Sequence, residues 1–404
     1  MHLEPVSTDR LWTREFVLAL LANFFLAIVF YMLMTTMAVY AVDRFSASDA
    51  QAGLAASLFI VGATLSRPIA GRYLDVIGRR RLLLASLGLY LLAGLAYFAA
   101  GGLFSLFAVR LIHGFAFGCG TTVVIVSVQS ALPMHRRGEG IGFFGMSTPI
   151  AAALGPFVAL LLSNRVGFTF LFGVASAMAL GALLIGFVLQ TPAHALSEAE
   201  KAGLREHRLA NFVEPRALPA SLVILAVGMG YSSVLTFLGP FARANGLVGA
   251  ASAYFLVYSG VVFASRFVVG RVQDRYGDNV VILPAILSLG LGLVILSRSF
   301  AAWHVLASAV FVGFGFGTLM TSLQAIAAGS ASLNRMGLAT STFFICADVG
   351  IGIGPILWGM SIPWCGYRNM YLLAGASMLF VVCLYQALHG RKQGTRAISR
   401  LRSP

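Results

Sequence analysis

Charged residues are scarce in this sequence. Across 404 residues, Asp, Glu, Lys and Arg make up 10%, whereas 59% of residues are hydrophobic and the mean hydropathy is +0.88. A soluble domain carries about 25% charged residues, so these few charges cannot cover a surface that faces water. Alternating strands of about 10 residues, which are typical of membrane barrels, are also missing. The composition therefore excludes an ordinary soluble protein and predicts an all-α membrane protein.

Cysteines are few, and the sequence motifs of common catalytic sites are missing. The four cysteines show no spacing of a disulfide framework, a redox motif or a metal site. We find no G-x-S-x-G or H-E-x-x-H motif, and no Walker pattern that would make ATP the driving force. Only one of the 14 acidic residues, Asp348, falls inside an apolar run, whereas an intramembrane aspartyl protease needs two. We therefore expect no enzyme activity, no cofactor and no metal.

Long apolar runs are abundant. A helix needs about 20 residues to span a hydrocarbon core of about 30 Å. Twelve such spans are predicted, at residues 16–42, 50–71, 82–100, 104–131, 140–162, 168–190, 219–241, 250–270, 280–298, 302–329, 338–362 and 367–389. We predict an N-terminal six-helix bundle over residues 1–190, a linker over 191–218 and a C-terminal six-helix bundle with a basic tail over 219–404. Within the linker, Ser197-x-x-Glu200 resembles a helix capping box.

Lys and Arg residues are distributed unevenly between the two membrane faces. If the N-terminus is cytoplasmic, the cytoplasmic segments hold 20 of them and the opposite face holds five, while Arg67, Arg110 and Arg266 fall within spans. Positive residues accumulate on the cytoplasmic side, so both termini are expected there. The net charge of +14 is explained by this topology and by anionic lipid headgroups. Nucleic-acid binding is not expected, because the charges are scattered over separate loops.

The two halves of the chain repeat each other. Residues 66–78 (SRPIAGRYLDVIG) align with residues 265–277 (SRFVVGRVQDRYG) at an offset of 199. The same offset pairs Gly114 with Gly313, Gly118 with Gly317, Gly138 with Gly337, Gly155-Pro156 with Gly354-Pro355, and Gly167 with Gly366. The halves therefore derive from one six-helix unit in parallel orientation. Two such bundles can rock about a site between them, which is the basis of alternating access.

The repeated segment contains a motif that resembles one in a known family. Gly71-Arg72-x-x-Asp75-x-x-Gly78-Arg79-Arg80 resembles the loop motif of the major facilitator superfamily, and Gly270-Arg271-x-x-Asp274-Arg275-x-Gly277 repeats it. The resemblance covers the whole chain and implies twelve transmembrane helices in two pseudo-symmetric bundles. It also implies that Asp75 meets the start of span eleven near Gly337 and locks one conformation. The alternative is that Asp75 is a solvated loop charge.

Span four contains a second motif of this family. Arg110-x-x-x-Gly114 resembles it, with His113 where Gln is common. A charge within the bilayer costs about 3 kcal/mol or more, so Arg110 is expected to face the bundle interior with a partner. The alternative is that Arg110 extends to the outer headgroups. His113 is either a polar core residue or a proton carrier.

Span five resembles the motif of drug:proton antiporters. Gly142, Gly155 and Pro156 have its spacing, and Gly354-Pro355 repeats the end of it in the second half. Three glycines of the motif are replaced, by Ala151, Ala159 and Leu160. The alternative role of these small residues is close helix packing.

Asp348 is the acidic residue expected inside the membrane. It lies ten residues into span eleven, about 15 Å along the helix axis and close to the bilayer centre. A carboxylate there costs about 2.5–3.5 kcal/mol. We therefore expect Asp348 to be the site of the coupling proton or of a cationic substrate. The alternative is a structural pair with Arg67 or another base, although Arg67 and Arg266 are themselves expected to pair locally.

Polar residues within other spans are candidates for the lining of a cavity. These are Asn23, Tyr31, Gln129, Tyr231 and Gln324, in surroundings that favour amphipathic or lipophilic cargo. The first hypothesis is a monomeric exporter of small organic compounds in a bacterial inner membrane, working by proton antiport. The alternative is metabolite uptake by proton symport. A third hypothesis is a membrane receptor that does not transport.

Overall fold

The computed structural model describes residues 11–132, 140, 143–145, 147–191, 213–331 and 335–390. These ranges are almost entirely helical and contain no strand. The helices of the first half are α1 Arg14–Phe45, α2 Asp49–Ile77, α3 Arg79–Ala96, α4 Leu103–Ala131, α5 Ser147–Arg165 and α6 Phe168–Val188. Those of the second half are α7 Leu218–Ala244, α8 Val248–Tyr276, α9 Asp278–Ser297, α10 Ala302–Gly329 and the segment Met336–Tyr385.

The last segment consists of two membrane helices joined without a loop. Gly366 lies inside it with φ 74° and ψ 167°, outside the helical region. We call the parts before and after it α11 (336–365) and α12 (367–385). In the described ranges, eleven continuous helices are long and apolar enough to cross a membrane. Division at Gly366 gives twelve, which confirms the predicted number of spans.

Local side chains set the first residues of α1 and α2. The Thr13 hydroxyl accepts the Phe16 N–H at 3.2 Å. Ser48 and Gln51 form a capping box, in which each side chain accepts the other residue's backbone N–H, at 3.3 and 2.9 Å. Such caps satisfy N–H groups that have no partner within the helix. The capping box predicted at Ser197 lies outside the described residues.

Pairs of glycines at the offset of 199 turn the chain in the same way. Gly78 and Gly277 have φ of 95° and 88°, between α2 and α3 and between α8 and α9. Gly167 and Gly366 have φ of 97° and 74°, between α5 and α6 and between α11 and α12. Side chains rarely tolerate this conformation, so glycine is needed at these positions. The repeat in sequence is therefore a repeat in backbone geometry.

Helix crossings repeat at the same offset. A Cβ on Gly114 of α4 would lie 1.7 Å from the Phe59 carbonyl oxygen of α2. A Cβ on Gly313 of α10 would lie 2.6 Å from the Tyr258 carbonyl oxygen of α8. Residues 59 and 258 differ by 199, so α4 crosses α2 as α10 crosses α8. Glycine permits this approach between membrane helices.

Helices α1–α6 and α7–α12 form the two bundles. Across their interface α2 packs against α11, α5 against α8 and α1 against α7. Large apolar side chains are exposed on the outside, including Phe104 at 86% and Trp364 at 90%. A soluble protein would bury most of this surface, whereas lipid accommodates it. The sequence limits of the two domains and the linker stay a prediction.

The two membrane faces differ in how the bundles meet. We call the face where α2 ends and α3 begins the basic face, and the other the opposite face. At the opposite face, Arg243 of α7 pairs with Asp43 of α1 and donates to Asn164 Oδ1 of α5 at 3.1 Å. Tyr367 of α12 donates to Asp49 Oδ1 of α2 at 2.8 Å. These contacts join the bundles and close the opposite face.

Candidate transport site

An ion pair joins the two bundles inside the membrane. Arg67 Nε of α2 lies 2.8 Å from Asp348 Oδ2 of α11, and their side chains are 21% and 23% exposed. Asp348 is twelve residues from the start of α11 at Met336, about 18 Å along the helix axis. The expectation that Arg67 pairs locally is therefore wrong, because its partner lies on the other bundle. The alternative pairing of Asp348 with Arg67 is the one that the structure contains.

A run of alternating glycines places Asp348 at this interface. A Cβ on Gly350 would lie 2.1 Å from the Leu225 carbonyl oxygen of α7. A Cβ on Gly352 would lie 2.8 Å from the Ile60 side chain of α2. Helix α11 is therefore held close to a helix of its own bundle and to a helix of the other bundle. This close approach brings the side chain at position 348 within reach of α2.

Tyrosines lie on helices next to the ion pair. Tyr31 of α1 is partly exposed and lies near Asp348. The Tyr231 ring of α7 lies 5.8 Å from that of Tyr258 of α8 between centroids. The Tyr231 ring also stacks on Phe316 of α10 with a centroid distance of 3.8 Å. The region between the bundles thus combines one carboxylate with phenol groups and aromatic faces.

Arg266 is the counterpart of Arg67 at the offset of 199. It is exposed on α8, two helical turns after Tyr258. Among the residues that the structure describes, Arg266 has no acidic partner. The position that would correspond to Asp348 in the first half is Pro149. The two arginines are therefore equivalent by sequence, but within the described ranges only Arg67 is paired with a carboxylate. The central site, as we use the term, comprises Arg67, Asp348, Tyr31, Tyr231, Tyr258 and Arg266.

Arg110 lies inside the first bundle. It is fully buried and donates to the Ala55 and Ala56 carbonyl oxygens of α2, at 2.7 and 3.0 Å. Its guanidinium also lies over the Phe59 ring, 4.8 Å from the centroid. The expected interior position is confirmed, and extension to the headgroups is excluded. It also donates to the Tyr97 hydroxyl at 3.4 Å and to Met34 Sδ at 3.9 Å, so these contacts all lie within the first bundle and not in the central site.

His113 belongs to the same buried region as Arg110. Its Nδ1 lies 3.0 Å from the Tyr97 hydroxyl, and its ring is 4.2 Å from that of Tyr90 between centroids. Its Nε2 is buried without a partner among the described residues. The sequence prediction groups Arg110 and His113 with Asp348, whereas the structure places them in a separate buried cluster. A role for either in proton coupling stays a prediction.

The predicted cavity residues fall into two groups. Tyr31 and Tyr231 belong to the central site, and Gln324 is partly exposed on α10. Asn23 is buried and donates to Ser147 Oγ at 2.8 Å between α1 and α5. Its carboxamide therefore joins two helices of one bundle instead of lining a cavity. The side chain of Gln129 lies outside the described residues.

The first loop motif forms a compact turn at the basic face. Asp75 Oδ1 accepts from Arg79 Nε at 2.6 Å, and Gly78 makes the turn between them. Arg80 donates to the Phe187 carbonyl oxygen of α6 at 2.9 Å, and Gly71 has open space around it. The Arg72 side chain lies outside the described residues. The described partner of Asp75 is thus a residue of its own loop, and a lock onto span eleven stays a prediction.

The second loop motif is tied to the end of α12. Asp278 follows Gly277 and lies 2.9 Å from His389 Nε2, while Asn279 Oδ1 accepts from the Tyr385 hydroxyl at 2.7 Å. The remaining motif residues, Gly270, Arg271, Asp274 and Arg275, are exposed or partly exposed. The residues that replace the usual basic pair therefore connect α9 with α12.

The glycine–proline pairs are sites of helix packing. A Cβ on Gly155 of α5 would lie 2.8 Å from Tyr31 Cβ of α1, and one on Gly354 of α11 would lie 2.0 Å from Ser232 Oγ of α7. Pro156 and Pro355 lie within these helices. Gly142 lies outside the described residues. The packing alternative thus accounts for both glycines.

The closing contacts at the opposite face are not evident from the sequence. Asp43, Asp49 and Arg243 fall there in outer loops, with nothing to relate one to another. The sequence signal that could have identified these residues is the scarcity of charge on that face, which carries few charged residues of either sign. A charge retained on such a face is a candidate for a specific contact.

Two pseudo-symmetric helical bundles with ionisable residues between them define a multi-pass membrane protein of the transporter class. Among the described residues, no three His, Cys, Asp or Glu side chains are grouped as for a metal. A sequence profile of the Major Facilitator Superfamily matches residues 19–297 and 246–402, so the chain belongs to this family of transporters.

Individual relatives agree with this assignment. An uncharacterised MFS-type transporter, YhhS of Shigella flexneri, is 26% identical over 365 residues, covering 87% of each chain. An uncharacterised MFS-type transporter of Pseudomonas aeruginosa is 27% identical over 371 residues, covering 88% of each. The crystal structure of a mutant of the nucleoside transporter NupG has a TM-score of 0.76 at 15% identity, covering 93% of this chain and 100% of NupG. The last similarity concerns the fold alone.

Proposed function

We propose that this chain is a secondary active transporter that moves a small organic solute by alternating access, with protons coupled at Asp348. The observation that carries the proposal is the Arg67–Asp348 pair, which joins the two bundles inside the membrane. Ionisable residues inside a membrane are costly and usually functional. A proton on Asp348 removes its negative charge and releases Arg67. Proton binding would therefore weaken a contact between the two bundles.

The proposed orientation follows the distribution of basic residues. The basic face is cytoplasmic, with both termini on that side, and the membrane is a bacterial inner membrane. The domain limits at residues 190 and 219 place six helices on each side of a cytoplasmic linker. One chain supplies both walls of the central site, which supports function as a monomer.

The closed opposite face supports a particular state of the transport cycle. The Asp43–Arg243 and Asp49–Tyr367 contacts join the bundles on that side. The side chains of Arg67 and Asp348 are nevertheless 21% and 23% exposed. We assign this exposure to the basic face, so the conformation is one that communicates with the cytoplasm.

The ion pair favours proton symport over the antiport expected from the sequence. A cationic solute would have to displace Arg67 from Asp348, and Arg67 is held covalently within reach. Protonation of Asp348 instead frees Arg67, so a proton and a solute that binds Arg67 would assist each other. Efflux by antiport is the second candidate, because the spacing of Gly155 and Pro156 in α5 resembles that of antiporters.

Proteoliposomes test this proposal. The purified chain is reconstituted with the pH indicator pyranine inside, and a panel of small organic solutes is added outside. Symport predicts that a transported solute acidifies the interior, whereas antiport predicts that it makes the interior more alkaline. In D348N the solute should move without a change in pH, while R298Q, altered at an exposed residue that follows α9, should behave as wild type. Equal solute-dependent pH changes in wild type and D348N would exclude coupling at Asp348, and absence of flux for every solute would favour a receptor.

A further inference from the structure

The two halves of the interface differ in charge. Arg67 and Arg266 occupy equivalent positions on α2 and α8, and these helices pack against α11 and α5, which are also equivalent. The first arginine is neutralised by Asp348. The second has Pro149 at the corresponding position of α5 and no acidic partner within the described ranges. In the part of the chain that the structure describes, one positive charge of this pseudo-symmetric pair is therefore left without a counter-ion.

The position of Arg266 indicates that it faces the central site. It lies two helical turns from the buried Tyr258 on the face of α8 that packs against α10, just as Arg67 lies two turns from Phe59 on the face of α2 that packs against α4. Its counterpart Arg67 points across the interface to the other bundle. An arginine that faced lipid at this level would incur a cost of about 2.5–3.5 kcal/mol. The equivalent helix face and the repeat in sequence thus place Arg266 on the second half where Arg67 lies on the first half.

We infer that the cargo is an amphipathic organic anion whose carboxylate or phosphate group binds Arg266. The inference rests on the proposed transport function and names its substrate class. The anionic group of the cargo pairs with Arg266 on the second half, as the Asp348 carboxylate pairs with Arg67 on the first half. Guanidinium groups suit this role because their planar N–H groups match carboxylate and phosphate oxygens.

The walls of the central site specify the rest of the solute. Tyr231 stacks on Phe316 at a centroid distance of 3.8 Å, the Tyr258 ring lies 5.8 Å from that of Tyr231, and Tyr31 is the partly exposed member of this aromatic group. Aromatic faces bind flat apolar groups, while the hydroxyls can donate to oxygen atoms of the solute. A ring that carries one anionic group fits this arrangement.

The proposed proton site gives this anion a second partner. With Asp348 protonated, Arg67 loses its counter-ion and both arginines can bind the solute. D348N reproduces the uncharged side chain permanently. The inference therefore predicts that D348N binds the anion more tightly than wild type, whereas R266Q binds it more weakly.

Thermal stabilisation of the purified protein measures these affinities. The probes share one ring and differ in charge: benzoate, phenyl phosphate, benzyl alcohol and benzylammonium. A ligand that binds only the folded protein raises its stability by RT ln(1 + [L]/Kd). We expect stabilisation by benzoate, phenyl phosphate or both, and none by the neutral and cationic probes. The apparent affinity should fall about tenfold or more in R266Q, be partly retained in R266K and rise in D348N.

Different outcomes separate this inference from the proposed function. Equal stabilisation by benzyl alcohol or benzylammonium, no stabilisation by either anion, or unchanged anion affinity in R266Q would overturn the inference. None of these results depends on proton coupling, which the pH change in proteoliposomes tests separately. Conversely, loss of anion binding in R266Q together with unaltered coupling in D348N would retain the anion site and exclude the role of Asp348.

Discussion

At the scale of single residues, Arg67 and Arg110 show two uses of a charge inside a membrane protein. Arg67 pairs with a carboxylate on the other bundle and stays partly exposed. Arg110 is fully buried and donates to two carbonyl oxygens of a neighbouring helix. The first arrangement can change when a proton binds Asp348, whereas the second holds a guanidinium on two carbonyl oxygens and the Tyr97 hydroxyl within one bundle. We therefore expect Arg67 to act in the transport cycle and Arg110 to stabilise the first bundle.

Substitution of Arg110 tests this division. In R110K the compact ammonium cannot reach the Ala55 and Ala56 carbonyls as the planar guanidinium does, and we expect a loss of about 1.5–3 kcal/mol in the free energy of unfolding. Thermal unfolding in detergent measures it, with R368K, altered at an exposed residue that binds Asn245, as the control. Transport per folded molecule should be retained. A stable R110K protein that had lost proton coupling would show instead that Arg110 acts in coupling.

The sequence identifies Asp348 but not its partner. An isolated carboxylate within an apolar run is visible without any structure, because its cost depends only on its depth. The partner depends on which helices pack across the interface, and residues 67 and 348 are far apart in the chain. The offset of 199 relates Arg67 to Arg266, yet it cannot show that α2 packs against α11. The burial of Asn23 against Ser147 is hidden for the same reason.

At the scale of helices, most features are accessible from hydropathy and glycine positions. The twelve spans follow from apolar runs, and the turns at Gly78, Gly167, Gly277 and Gly366 coincide with repeated glycines. Hydropathy cannot show that α11 and α12 are continuous around Gly366, because a one-residue break and a short loop look alike in such a profile.

The crossing of α4 and α2 gives a test at this scale. In G114A the added Cβ would lie 1.7 Å from the Phe59 carbonyl oxygen, so the helices must separate. We expect a loss of about 1–3 kcal/mol in the free energy of unfolding, measured by thermal unfolding in detergent. G173A in α6 is the matched control, because its Cβ meets nothing within 4 Å. If G114A and G173A unfolded at the same temperature, α4 and α2 would not cross as closely as described.

The connection between the starts of α7 and α11 gives a test by pH. Burial alone would raise the pKa of Glu214. Hydrogen bonds from Arg335 and from the Arg216 N–H, together with the charges of both arginines, instead lower this pKa below its usual value. Glu214 also donates its backbone N–H to Thr342 Oγ1 at 2.9 Å. A carboxyl group whose pKa is lowered in the folded protein stabilises that protein at pH values above the usual carboxyl pKa of about 4.3. This contribution disappears as pH falls through the lowered pKa.

The measurement compares melting temperatures at pH 7 and pH 3. Wild type should lose more thermal stability between these values than E214Q, which has no carboxyl group to titrate at this position. D274N, altered at an exposed aspartate near the end of α8, should follow wild type. An equal loss in wild type and E214Q would show that the Glu214–Arg335 pair contributes nothing to stability.

At the scale of the whole molecule, the ion pair and the closing contacts lie on one path between the bundles. Arg67–Asp348 joins α2 to α11, and Asp49 at the start of the same α2 binds Tyr367 at the start of α12. A proton on Asp348 would therefore weaken the attachment of α2 to the second bundle. The groups around Asp348 that carry charge or can titrate are Arg67 and Tyr31, with Tyr231, Tyr258 and Arg266 beyond them.

The distance across the opposite face tests this coupling without a known solute. Spin labels are placed at Val166 and Trp364, exposed positions on the two bundles, after replacement of the four native cysteines by serine. Pulsed electron paramagnetic resonance gives the distance distribution at neutral and acidic pH. H389N serves as a control, since His389 pairs with Asp278 at the basic face, away from Asp348.

If Asp348 is the coupling site, acidification shifts wild type and H389N from a short towards a longer distance across the opposite face. D348N then already shows the longer distance at neutral pH and does not respond further. Coupling at Asp348 would be contradicted if D348N kept the short distance at neutral pH and responded to acid as wild type does. In that case the proton that moves the bundles would bind elsewhere.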